Sequence, residues 1–451
     1  MGPTLLYVSY HYPAGGGSGA HRTAKLARYL CDAGWNVIVL CGPAPTVSPS
    51  FSAGPFRLLS VEDLFHPVPA RRQAGGEVLA RPPEPDRPSR LRILLRKMAF
   101  MPDPQIYWIP KAFAAARRTL RETPPAAVLC SGPPFSVFLL GWLLKAARKI
   151  PLILDYRDVW LDHPWWPVPP WRRGLEAWLE RRMLHAADLV LANHDAMRHA
   201  FVATTPWISN RTAVVPNGFD PDELGPPCRP SWQPGERFEI VYAGTFYGSV
   251  PARDGQSNSL SVQRPVGFLR ALRDLSERRA FGPGGVRATF LGAKVWTEEA
   301  TNLSACARDC GAGDLVQVLP RMDKSEVVPA LRGAHLLLNI LYHTEAQIAQ
   351  KIYDYLHLEI PILSLLRDSK ANSSIVQRAR AGPILDPADV SGITAAIERI
   401  VSDYAAGRRP IESDRSFIDQ FDVRAQARLL DSLLRKLVER RRGPAGRPDG
   451  A

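Results

Sequence analysis

Short apolar runs alternate along this chain with stretches whose hydrophobic residues recur at helical spacing. Leu5 to Ser9 is the first run; the glycine loop Ala14-Gly-Gly-Gly-Ser-Gly19 follows, then a helix predicted from Ala20 to Ala33 and a second strand from Trp35 to Leu40. Periodicity fails between Pro43 and Pro104, a stretch rich in Pro and Arg that reads as a long loop region with short helices. Regular alternation resumes with a helix over Ala112–Glu122, a strand over Ala126–Ser131, an apolar helix over Pro134–Lys149 and a buried strand over Leu152–Tyr156. A basic helix over Trp171–Ala187 and strands at Leu189–Ala192 and Ala213–Pro216 close this half. Pro226 to Gly235, PPCRPSWQPG, has the composition of a linker. A second series then begins at Phe238, with strands at Ala288–Leu291, Val316–Leu319, Leu336–Ile340, Ile362–Leu366 and Ile384-Leu385. A final helix, Arg424 to Arg441, carries Ala427, Leu430, Leu433, Leu434 and Leu437 on one stripe.

Strands that alternate with helices predict parallel sheets covered on both faces, so the chain reads as α/β with two successive doubly wound, Rossmann-like domains. In such sheets ligands gather at the C-terminal ends of the strands. The glycine loop after the first strand permits close backbone approach at a helix N-terminus. Gly15, Gly17 and Ala20 roughly fit a dinucleotide fingerprint, but Val39-Leu-Cys-Gly-Pro43 offers no carboxylate for a ribose, which argues against NAD.

The stretch richest in candidate chemistry is His343 to Leu366, HTEAQIAQKIYDYLHLEIPILSLL. Thr344 followed by Gln347 is a capping-box pattern and predicts a helix start at about Glu345. Ile348, Ile352, Tyr355 and Leu356 form its buried stripe, while Gln347, Lys351 and Asp354 share another face. The simplest reading of Lys351 and Asp354 is an i, i+3 surface ion pair; the alternative is an anion site, since a helix N-terminus offers unpaired N–H groups.

Composition narrows the setting. The 451 residues suit two domains, with 45% hydrophobic and 22% charged residues. No apolar run is long enough to span a bilayer, and the longest, Phe135 to Leu144, stops at Lys145. The N-terminus enters a strand without a signal-like segment, so a cytoplasmic location is expected. Six scattered cysteines lack zinc-like spacing and read as reduced, mostly buried thiols. The net charge of +13 and pI of 9.7 call for an anionic partner. No nucleic-acid-binding pattern accompanies the charge, which leaves an anionic membrane surface as the favoured partner and a generally Arg-rich proteome as the alternative. Arg90 to Met101, RLRILLRKMAFM, could lie at such an interface or pack as a basic helix on its domain.

Lys351-Ile-Tyr-Asp354-Tyr-Leu followed by Pro361-Ile-Leu resembles the nucleotide-sugar segment of glycosyltransferase family 4, K-x-x-E-Y-L…P-[IV]-L. The resemblance implies that Asp354 holds the donor's ribose hydroxyls, on an arm one methylene shorter than the family's Glu. The first carboxylate of the family's E-x7-E signature falls at Ala346, with Glu345 one place away. Ser131-Gly-Pro-Pro134, Tyr156-Arg-Asp158-Val-Trp160 and Val215-Pro-Asn-Gly218 resemble the N-terminal domain of the same family. Gly244-Thr-Phe-Tyr-Gly248 and Arg264-Pro265 resemble its G-[ST]-F-Y-G…R-x-P pattern, separated here by the polar insert 250–263. The resemblance runs from Leu5 to about Arg441.

What it implies is a GT-B architecture: two doubly wound Rossmann-like domains facing a central cleft. Residues 1–225 would form the acceptor-side domain, 236–415 the nucleotide-sugar domain, 416–442 a helix crossing back to the first domain, and 443–451 a disordered tail. The implied activity is retaining transfer of a sugar from a nucleotide diphosphate to a cell-envelope, polysaccharide or lipid-linked acceptor, without metal or other cofactor. Implied donor-binding residues are Gly17, Gly19, Gly244, Thr245, Arg264, Glu345, Ala346, Gln347, Lys351, Tyr353 and Asp354, with Arg253 second to Arg264 as phosphate clamp. Arg157, Asp158 and His21 are the catalytic candidates, for orienting or deprotonating the acceptor. A nucleotide-sugar 2-epimerase on the same fold and a non-catalytic nucleotide-sugar-binding scaffold are the alternatives. The expected location is cytoplasmic, peripheral on the inner face of the cell membrane.

Overall fold

The computed structural model describes residues 2–11, 18–43, 54–63, 101–161, 168, 170–244, 265–292, 303–320, 322–342 and 348–442. The chain divides into two compact units. The first comprises Met1–His163, Pro167–Pro216 and Gln426–Ala451, and the second Pro164–Trp166 and Asn217–Ala425.

In the first unit the described residues form a parallel sheet of β1 (Thr4–Val8), β2 (Asn36–Cys41), β3 (Arg57–Ser60), β4 (Ala127–Gly132), β5 (Leu152–Tyr156), β6 (Leu189–Ala192) and β7 (Thr212–Val214). Its order is β3-β2-β1-β4-β5-β6-β7, so the winding reverses between β1 and β4, where Leu5 faces Ala127 and Val8 faces Cys130. Every residue of β1, β4, β5 and β6 is buried, as central parallel strands covered on both faces require. Helices α1 (Ser18–Asp32), α2 (Ile109–Glu122), α3 (Ser136–Arg148), α4 (Pro170–Ala186) and α5 (Asp195–Thr204) accompany them. Phe135, Phe138, Tyr156, Trp160 and Phe201 form an aromatic core beside β5, with Phe135 stacked on Trp160 at 4.9 Å.

Strand β3 corrects the reading of Pro43–Pro104 as wholly loop and short helix: Arg57–Ser60 pairs with Ile38–Cys41 at the sheet edge. Its residues are only partly buried, so no apolar run announces it.

The second unit holds β8 (Phe238–Ala243), β9 (Val286–Leu291), β10 (Val316–Leu319), β11 (Leu336–Tyr342), β12 (Ile362–Arg367) and β13 (Ile384–Leu385) in the order β10-β9-β8-β11-β12-β13. All pairs are parallel, and the winding reverses between β8 and β11. Its helices are α6 (Pro221–Leu224), α7 (Val266–Glu277), α8 (Leu303–Asp309), α9 (Lys324–Arg332), α10 (Gln350–Leu358), α11 (Lys370–Arg378), α12 (Val390–Ala405) and α13 (Arg415–Asp419). Alternation along β8 sends Ile240 and Tyr242 into a core with Phe268 and Phe290, and Val241 into a second core with Ile352 and Tyr355.

The last helix, α14 (Val423–Arg442), belongs to the first unit from Gln426 onward. It buries Ala427, Leu430 and Leu434 there. Its polar side chains fix the docking: Trp35 Nε1 donates to Asp431 at 2.6 Å, Arg435 donates to the Ala33 carbonyl at 2.8 Å, and Arg441 pairs with Asp188 at 2.9 Å.

Candidate functional site

The reversal between β8 and β11 puts the C-terminal ends of two adjacent strands beside α10, the position where open α/β sheets bind ligands. Strand β8 ends at Ala243, and Gly244 follows it. Gly244 has φ +142°, a conformation that favours glycine, and its N–H donates to the Leu291 carbonyl at 2.9 Å. Ala243 N donates to the hydroxyl of Tyr355 at 2.8 Å, so α10 holds the end of β8 directly.

Helix α10 starts at Gln350, five residues after the position that the Thr344 and Gln347 pattern predicts. Ala349 is extended (φ −63°, ψ 131°) and its N–H goes to Asn372 Oδ1 of α11 at 3.2 Å, a tertiary contact that sets the start. Gln350 Nε2 donates to the Gly218 carbonyl at 2.8 Å. Ile352, Tyr355 and Leu356 are buried, as the stripe predicts. Tyr353 is buried as well, its ring 5.1 Å from that of Phe421, so its side chain belongs to the core.

Lys351 and Asp354 do not pair with each other. Lys351 Nζ stands 3.6 Å from the centroid of the Tyr242 ring, and a Cβ placed on Gly244 would lie 3.5 Å from that nitrogen. Among the described residues Lys351 has no carboxylate partner, and burial of its ammonium pushes its pKa well below the usual lysine value. The face of Tyr242 opposes that loss of charge.

Asp354 turns the other way. Its Oδ2 lies 3.3 Å from Nζ of Lys324, the first residue of α9, and Lys324 also meets Glu223 of α6 at 2.6 Å. Burial alone would lower the Lys324 pKa; the charges of Asp354 and Glu223 outweigh it and raise the pKa above the usual value. Asp354 is buried, and its Oδ1 has no hydrogen-bond partner among the described residues. Lys324 and Glu223 were not anticipated from sequence. Asp323, whose N–H donates to Glu326 at 3.1 Å, marks the start of α9, but nothing local ties its first residue to a helix that begins after the next strand.

In the first unit, buried Arg22 makes a bidentate pair with Asp155 at 3.2 and 3.1 Å and donates to the carbonyls of Val215 (2.8 Å) and Pro216 (2.6 Å). Asp155 also accepts from Ser131 Oγ at 2.7 Å. These bonds join β5, β4, α1 and the segment after β7. Arg157 is buried too, donating to the carbonyls of Gly132 and Pro133, and burial lowers its pKa. Its guanidinium therefore braces the turn after β4. Asp158 follows it half-buried; His21 is half-buried in the first turn of α1, a turn that includes the backbone of Gly19. Gly17, Thr245, Arg253, Arg264, Glu345, Ala346 and Gln347, the insert 250–263 and residues 90–100 of the stretch Arg90–Met101 lie outside the described residues. Among the described residues no group of three or more His, Cys, Asp or Glu is placed to hold a metal ion. Cys31 is half-buried, and Cys41, Cys130, Cys228, Cys306 and Cys310 are buried.

Residues 16–218 match the family model described as a glycosyl transferase 4-like domain. None of the curated proteins matches the chain in sequence. Solved structures do match across nearly its full length. Sucrose-phosphate synthase from Thermosynechococcus elongatus is 15% identical with a TM-score of 0.62, covering 96% of this chain and 99% of its own. Anabaena HepE, solved with UDP and glucose, is 13% identical with a TM-score of 0.58, covering 96% and 100%. WaaG, a glycosyltransferase involved in lipopolysaccharide biosynthesis, is 15% identical with a TM-score of 0.53, covering 98% and 100%. At these identities the likeness is one of fold.

Proposed function

We propose that this chain, whose residues 16–218 match a glycosyl transferase 4-like domain and which shares the GT-B fold of solved glycosyltransferases, moves a sugar from a nucleoside-diphosphate donor to a cell-envelope, polysaccharide or lipid-linked acceptor. The observation that carries this reading is the pair of unmatched groups on α10. Among the described residues Lys351 is a cation without a carboxylate partner, and Asp354 keeps one carboxylate oxygen without a hydrogen-bond donor. A nucleoside diphosphate complements both. Its ribose hydroxyls donate to Asp354 Oδ1, and its diphosphate takes the charge of Lys351 beside Gly244. As the bond to the sugar breaks, negative charge grows on the departing diphosphate, and a preorganised cation stabilises that charge more than the ground state. This chemistry needs no metal. A UDP-linked donor is favoured because HepE, which shares the fold, was solved with UDP-glucose. Retention of anomeric configuration follows from the family 4 resemblance. The charge of +13 fits work at an anionic membrane surface.

The test is thermal stability against UDP-, GDP-, ADP-, dTDP- and CMP-linked sugars, since a ligand that binds only the native state raises the melting temperature. One sugar nucleotide should give a clear shift that Asp354→Ala removes. Near-normal turnover in that variant would defeat the site assignment. NMR of the product then reads the anomeric configuration, and release of an epimerised sugar without acceptor would replace transfer by epimerisation.

A further inference from the structure

Helix α4 has an outer face that none of the described residues of its own unit covers. Its inward side carries Glu176, Glu180, Met183 and Leu184, all buried. Glu176 accepts from Trp160 Nε1 at 2.7 Å and pairs with Arg172, and Arg172 also donates to the Pro102 carbonyl at 2.7 Å, so the helix is fixed in rotation. Opposite, Trp171, Leu175 and Trp178 fall at i, i+4 and i+7 and are 50%, 47% and 54% exposed. Arg182 and His185 continue the same stripe, and Arg181 flanks it; all three are exposed.

The stripe extends beyond the helix. His185 stacks on Trp207 at 3.8 Å, and Trp207 is itself 37% exposed. Arg211 lies over the Trp207 ring at 5.4 Å, as Arg182 does over Trp178 at 5.3 Å. Both carboxylates of α4 point inward, so its exposed charges are all positive.

We propose that this face of α4, with Trp207 and Arg211, seats the protein on an anionic phospholipid surface. Indole rings favour the depth of the lipid headgroups, with the apolar body inward and the N–H at the wet edge. Leucine between two tryptophans gains from apolar burial, and arginines beside the rings meet lipid phosphates. A membrane is favoured over a nucleic acid because Leu175 lies at the centre of the stripe, where a polyanion gives it nothing. The inference rests on the reading that the protein works at a membrane surface, and adds to it the element that makes contact.

The 451-residue chain is sedimented with vesicles of equal parts phosphatidylglycerol and phosphatidylcholine, and with phosphatidylcholine alone. Wild type should bind the anionic vesicles, more weakly as salt rises, and should bind the neutral vesicles poorly. Trp171→Ser, Leu175→Ser and Trp178→Ser combined, and separately Arg181→Glu with Arg182→Glu, should each weaken binding by about tenfold or more. All these side chains are exposed, so the variants should keep the wild-type melting temperature and its shift with sugar nucleotide. Anionic-vesicle binding that survives both variants overturns the assignment to α4 and leaves the membrane reading standing. Failure of wild type to bind any vesicle overturns both, whatever the donor results. A dimer that the triple variant dissolves, or retention of a single-stranded oligonucleotide without vesicle binding, would overturn it in favour of self-association or of nucleic acid.

Discussion

Replacing Lys351 with Met should stabilise the free protein and abolish its response to nucleotide. Met keeps the length and the apolar stem of the side chain and removes the ammonium that burial holds against its preference for water. The substitution also forfeits the contact with the Tyr242 ring, worth about 0.5–2 kcal/mol while the amine is charged. Relief of desolvation exceeds that loss if the pKa is strongly depressed. The expected net gain is on the order of 1 kcal/mol at neutral pH, about 2–4 °C for a unit of this size. Its pH dependence has a definite sign. In the unfolded chain the amine stays protonated to about pH 10.4. In the folded chain it releases its proton earlier, so wild-type stability rises with pH between the two values. The advantage of Lys351→Met should therefore be greatest below the folded pKa and vanish as pH approaches about 10.4. Differential scanning fluorimetry across that range, with and without the sugar nucleotide that shifts wild type, reads both effects. A variant that melts lower than wild type at neutral pH and still responds to nucleotide would refute the argument.

Lys324→Met leaves Asp354 and Glu223 together without their shared cation. It should cost roughly 1–3 kcal/mol in denaturant unfolding, below the fully buried case because all three side chains keep some solvent contact. Because the folded pKa of Lys324 is raised, its contribution is fully present below the unfolded pKa of about 10.4 and fades only as pH climbs through the folded value. Arg22→Met isolates Asp155 in the core of the first unit and should destabilise by about 3–5 kcal/mol; a melt within a degree of wild type would show that Arg22 is not structural. Tyr355→Phe removes the acceptor of the Ala243 N–H and should cost about 1–2 kcal/mol, with weaker nucleotide binding because the end of β8 loses its anchor; unchanged affinity would separate that anchor from the site.

Central strands announce themselves because both faces are covered, and the fully buried runs Thr4–Val8, Leu152–Tyr156 and Leu189–Ala192 leave little room for another reading. Edge strand β3 is covered only in part, and its residues carry no apolar signature. The start of α10 was misread for a different reason. Thr344 and Gln347 are a local pattern, whereas Ala349 is fixed by Asn372, a residue on the next helix. The site divides in the same way. Lys351, Asp354 and Gly244 were visible through short motifs, and the fold brings Lys351 beside Gly244. Lys324 and Glu223 were invisible because each comes from a separate βα segment and meets Asp354 only in the folded unit. Arg157 carries a lesson about charge: it looked available to an acceptor, and it is engaged with carbonyls of its own unit, as Arg22 is with carbonyls and a carboxylate.

Two lysines approach the chemistry of α10, and the fold treats them oppositely. Lys324 is compensated twice, by Asp354 and by Glu223. Lys351 has a ring face and no carboxylate among the described residues. Packing alone does not explain Lys351, since Met would fill the space without desolvating a cation. Ion pairing does not explain it either, since Asp354 stands one turn away and is turned toward Lys324. What remains on α10, among the described residues, is one unmatched cation and one unmatched carboxylate oxygen, carried by residues whose backbones are about 4.5 Å apart along the helix axis. Ligand fragments separate their roles. Inorganic pyrophosphate satisfies only Lys351, and a nucleoside satisfies only Asp354. Pyrophosphate should therefore raise the melting temperature of Asp354→Asn and leave that of Lys351→Met unchanged, while uridine should do the reverse. Fragments that fail on both variants alike would mean that the two residues act as one structural unit, and the assignment of separate phosphate and ribose contacts would fall.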